Sequence, residues 1–92
     1  MKYVIFKGNG MFHPVTFSDY TTHKQISVEG AVPIAAGFVK FDLSGWPICY
    51  GESESLHLKS RGEADADIIR WSMKQEPGSF MFIDYNEENK EK

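Results

Sequence analysis

Asn9-Gly10 lies between two runs of bulky residues, Tyr3 to Lys7 and Met11 to Phe17. Asn-Gly readily takes two successive positive φ angles, the type I′ turn of a two-residue hairpin. With that turn, Gly8 faces Met11, Phe6 faces His13 and Val4 faces Val15. Side chains alternate between the two faces of a strand. Val4, Phe6, Met11, His13, Val15 and Phe17 therefore share one face, and Tyr3, Ile5, Lys7, Phe12, Pro14 and Thr16 share the other. Both faces are largely apolar. A hairpin with one side in water alternates more cleanly, so the second face is expected to be covered, by the helix, by other strands or by another molecule. Pro14 lacks an N–H, which sets one side of its strand at a sheet edge or a bulge.

A second hairpin is expected between Pro33 and Leu58, the stretch holding the only cysteine and one of the two tryptophans. Ala31 to Leu43 forms its first strand. Gly37, in the middle, signals a bulge or a close backbone approach. The chain turns at Ser44-Gly45 and returns as Trp46 to Gly51, with Glu52 to Leu58 as an extension beyond an irregularity at Gly51. Between the two hairpins, Ser18 to Gly30 has no clear period. Ser18 or Asp19 is placed to cap a short helical turn reaching about Gln25, and Ile26 and Val28 alternate with polar neighbours.

One helix is expected over about 60–74. Ser60 followed by Glu63 has the spacing of a capping box, and Asp65 and Asp67 suit the positive end of the helix dipole. Ala64, Ile68 and Trp71, flanked by Ile69 and Met73, form an apolar stripe at helical spacing, which makes Trp71 an expected core anchor. Pro77-Gly78 ends the segment. Phe80 to Tyr85 reads as a last, dense strand, and residues 86–92, NEENKEK, read as a disordered charged tail outside a single globular domain spanning 1–85.

A chain of 92 residues buries somewhat over ~60% of its unfolded surface, a thin core that association would reinforce. Ten basic residues stand against thirteen acidic ones, for a net charge of −3. They form no cationic cluster of the kind that displaces counterions from phosphates, so no nucleic-acid partner is expected. Nor does any run approach the ~20 apolar residues of a membrane span. The apolar run in MKYVIFKGNG is too short for a signal peptide, and the single Cys49 suits a reducing compartment. A cytoplasmic protein is expected.

Chemistry is thinly signalled. His13, His23, His57, Cys49, Asp19, Glu52 and Glu54 show none of the close ligand pairs of a zinc site, so neither a metal nor a cofactor is expected. Ser53, Ser55 and His57 alternate as a strand face would, bringing a hydroxyl near an imidazole, but such alternation is the ordinary pattern of a solvated face. Glu52 and Glu54 read the same way. Gly8-Asn9-Gly10 lacks both the Gly-Lys-Ser/Thr ending and the following helix of a phosphate loop.

The sharpest candidate is Lys59, Ser60, Arg61 and Gly62 at the helix start. Free N–H groups, a hydroxyl and two cations there suit a phosphate or carboxylate.

These observations predict an α+β domain: an antiparallel sheet of five or six strands built from hairpins, with the helix on one face. The expected function is a small interaction module, a homodimer through apolar sheet surface, with Tyr3, Ile5, Phe12, Phe80 and Phe82 as interface residues. The alternative is a small anionic-ligand domain or enzyme, its site between Lys59–Gly62 and the central hairpin.

Overall fold

The computed structural model describes residues 1–75. Strands β1 (Lys2–Gly8) and β2 (Met11–Phe17) are followed by a 3-10 turn at His23–Gln25 and by β3 (Val32–Phe41) and β4 (Pro47–Tyr50). Two short strands, β5 (Glu52–Ser53) and β6 (Leu58–Lys59), precede helix α1 (Glu63–Gln75). The fold is α+β. Its main sheet has four antiparallel strands in the order β2-β1-β3-β4, and β5 and β6 pair separately. Among the described residues that main sheet has fewer strands than the five or six expected. The expected last strand, Phe80 to Tyr85, and the tail at 86–92 lie outside the described residues.

The first hairpin has the register its sequence dictates. Gly8 pairs with Met11, Phe6 with His13 and Val4 with Val15, across a turn in which Asn9 and Gly10 take φ 55° and 71°. In a two-residue hairpin the pair closing the turn is hydrogen-bonded, and such pairs recur at every second position. Pro14, paired with Ile5, therefore turns its missing N–H toward the outer edge of the sheet. The irregularity in β3 falls opposite Ile5 and Phe6, where the partners step from Ala35 to Pro33. At Gly37 the reason for glycine is space, because a Cβ there would lie 2.5 Å from the Tyr50 carbonyl oxygen.

Both faces of the sheet carry a layer supplied by this chain. On one side Tyr3, Ile5, Ala35, Val39 and Cys49 pack with Ala66 and Ile69 of α1. On the other, Val4, Phe6 and Ala36 are roofed by Ile26, Val28 and Ala31 from the connection between hairpins and by Leu56 and Leu58. The segment with no readable period thus supplies the second layer. β1 lies between them, with Tyr3 to Phe6 all buried.

Two expectations about α1 are corrected. The first is its start. Ser60 does not cap it, because β6 runs to Lys59 and Gly62 takes a left-handed φ of 64°. Helical backbone begins only at Glu63. The second is its rotation. Ile69 and Ala66 face the sheet together with Asp65, whereas Ala64 is exposed and Trp71 is 60% exposed. Trp71 is not a core anchor. A buried carboxylate occupies the inward row, and the apolar stripe sits rotated from the sheet.

Candidate functional site

Three places bring functional groups together, and the helix start is the most polar. Asp65 is fully buried. Its Oδ2 accepts from the Tyr3 phenol at 2.5 Å and from the Arg61 backbone N–H at 2.8 Å, and its Oδ1 accepts from Arg61 Nε at 2.7 Å. Ser60 Oγ accepts from the Gly62 N–H at 3.0 Å and lies 2.7 Å from the Tyr3 oxygen. Burying a carboxylate is costly unless donors surround it, and charge-assisted bonds such as these are the strong ones. Of the residues expected to hold an anion, Arg61 gives both its backbone and its side chain to Asp65, Ser60 and Gly62 bond each other, and Lys59 is exposed. The chain's own carboxylate stands where an external anion was expected, and an incoming one would have to displace it.

Tyr3 and Cys49 stay protonated beside it. Burial, and then the hydrogen bond to Asp65, hold the Tyr3 phenol well above its ordinary range. Burial pushes the Cys49 thiol up to about 11, the negative charge of Asp65 adds to this, and contact with Tyr3 offsets part of it. A thiol held protonated is a poor nucleophile. The cluster ties β1 to the start of α1, with Cys49 of β4 beside it.

The second place is a cavity of about 520 Å³ on the side of the sheet away from α1. Lys2, His23, Phe38, Glu52, Ser53 and Glu54 line part of it. His23 is buried, its Nε2 lies 2.8 Å from the Gly37 carbonyl oxygen, and the rings of Phe17 and Phe38 meet it edge-on. Since a carbonyl only accepts, Nε2 carries the proton. Ser53 is buried too, and its Oγ accepts from the Leu56 N–H at 3.2 Å. The expected alternation of Ser53, Ser55 and His57 on one strand face is not formed. β5 ends at Ser53, and His57 sits in a turn with φ 56°. Among the described residues no three His, Cys, Asp or Glu side chains converge as a metal would require.

The third place is apolar surface. Tyr3 and Ile5, expected at an interface, are core residues beneath α1. Phe12 is exposed, and Phe80 and Phe82 lie outside the described residues. Among the described residues, two clusters of exposed apolar side chains stand out. One is a groove between the start of β2 and α1. The other lies on β4, where Pro47 and Cys49 face inward and Ile48 and Tyr50 are 41% and 48% exposed. Register puts Ile48 beside Lys40 and Tyr50 beside Phe38. The Phe38 and Tyr50 rings stack at 5.9 Å, and the Lys40 ammonium lies 5.5 Å from the Tyr50 ring. Trp46, next along, is pinned by the Arg70 guanidinium 3.9 Å from its ring. Sequence reasoning missed Ile48 and Tyr50, because β4 carries apolar residues on both faces and its pattern does not say which face is covered.

Among the described residues no helix is long and apolar enough to cross a membrane. No family model, curated protein or solved structure matches this chain.

Proposed function

We propose that this chain is a small interaction module that pairs with a second copy of itself through the outward face of the β3–β4 hairpin. One contrast carries this reading. On the sheet face away from α1, Val4, Phe6 and Ala36 are covered by an apolar layer, while Ile48 and Tyr50 on edge strand β4 are exposed. Aromatic residues with a neighbouring cation are favoured interface material. A twofold contact lets one patch serve both partners. The Lys40 ammonium, 5.5 Å from the Tyr50 ring, adds a cation to the same patch.

Light scattering across the micromolar range tests it. Wild type is expected at twice the 10.5 kDa of one chain, and Tyr50→Glu at the mass of one chain with its melting temperature kept. A single-chain mass that does not change with concentration, or a dimer indifferent to both Tyr50→Glu and Ile48→Glu, overturns the reading.

A further inference from the structure

The groove between β2 and α1 has a volume of about 470 Å³ and is lined by Gly10, Met11, Phe12, Asp67, Ile68 and Trp71. Met11, Phe12 and Trp71 are 56%, 42% and 60% exposed, a large apolar area to leave in water on so small a chain. Among the described lining residues the charged one, Asp67, is paired with Arg70 at 3.1 Å. We propose that this groove is the seat of the chain's own segment Phe80 to Tyr85.

Composition, reach and charge support that occupant. The segment reads FMFIDY, with five of its six residues apolar or aromatic. Trp71 lies one helical turn before Gln75, about 6 Å along the axis at 1.5 Å per residue. Glu76, Pro77, Gly78 and Ser79 join Gln75 to Phe80. Those linkages span up to roughly 17 Å when extended, enough to turn at Pro77-Gly78 and come back beside Trp71.

Among the described residues β2 is an edge strand, so the groove borders an outer row of backbone N–H and C=O groups. Lys7 and Arg61 place cations 5.6 Å and 5.9 Å from the Phe12 ring, and Glu87 and Glu88 follow the apolar segment in the sequence. A tethered occupant competes at an effective concentration in the millimolar range, which an untethered partner rarely matches. The inference does not depend on pairing through β4, because the two surfaces share no residue.

The test is NMR on the full chain. Cross-relaxation is read between the Met11 methyl and Trp71 indole protons and the rings of Phe80 and Phe82. The expected result is contacts that persist on dilution from millimolar to micromolar and disappear in Phe82→Asp, with β1 and β3 shifts unchanged. Contacts seen only between differently labelled chains in a mixed sample would assign the groove to a second copy and overturn the proposal. So would the absence of contacts while Trp71 remains open to quenching by acrylamide.

Discussion

The Tyr3 phenol donates to the Asp65 carboxylate across 2.5 Å, tying to β1 the row of α1 that also buries Ala66 and Ile69. Tyr3→Phe keeps the ring and removes the donor from a buried charge. The expected cost is about 1.5–3 kcal/mol, the range for hydrogen bonds to charged groups. Denaturant melts read it directly. Adding Asp65→Ala to Tyr3→Phe should cost less than the sum of the two single changes, since both remove the same contact.

Alkaline pH should loosen the same corner. The folded state raises the pKa of the Cys49 thiol to about 11, and the Tyr3 phenol is raised as well. An unfolded thiol ionises near ~8.5. Because the folded pKa is the higher one, its stabilising contribution is complete below the unfolded pKa. It is lost as pH rises from there through about 11. Urea midpoints should fall across that window, and Cys49→Ala should flatten the thiol's share of the decline. A midpoint unchanged across the window would contradict this.

The rotation of α1 also separates two neighbouring kinds of position. Ile69 is fully buried against the sheet while Ala64 is exposed. Ile69→Ala should cost about 2–5 kcal/mol. Ala64→Ser should stay within about 0.5 kcal/mol of wild type, plus a small loss of helix propensity. Equal effects at the two positions would place the helix in the rotation its stripe suggests.

Gly37 sits where β3 passes close to the end of β4, and its carbonyl oxygen is bonded by His23. Gly37→Ala should cost about 1–3 kcal/mol, since its Cβ has no room beside the Tyr50 carbonyl. His23→Phe keeps an aromatic ring between Phe17 and Phe38 but leaves that oxygen without its donor, at about 1–3 kcal/mol. Thermal melts of the two variants check both values.

The parts of this fold legible in the sequence are those encoded by neighbours. Asn9-Gly10 and the alternation around it dictate a hairpin and its register, and apolar residues on both of its faces call for cover on both without saying what supplies it. The helix is legible as a helix, but its rotation is not. The inward row includes Asp65, whose burial depends on a phenol 62 residues away. Ser60 and Glu63 have capping-box spacing, yet the Ser60 hydroxyl is bonded by Gly62 and Tyr3. His23 is buried by a backbone carbonyl and two rings, none of them marked by spacing. The surface at Ile48 and Tyr50 is illegible for a simpler reason: β4 is apolar on both sides, and which side stays open depends on where the connection between hairpins lies.

The claim that β4 forms a self-association surface is tested most directly by following the NMR shifts of each residue as the full chain is diluted from millimolar to micromolar concentration. The account predicts that Ile48, Tyr50 and Lys40 shift together along one binding curve while Met11, Phe12 and Trp71 stay fixed. Shifts centred on Phe12 and Trp71, or no shift at any residue, would contradict it.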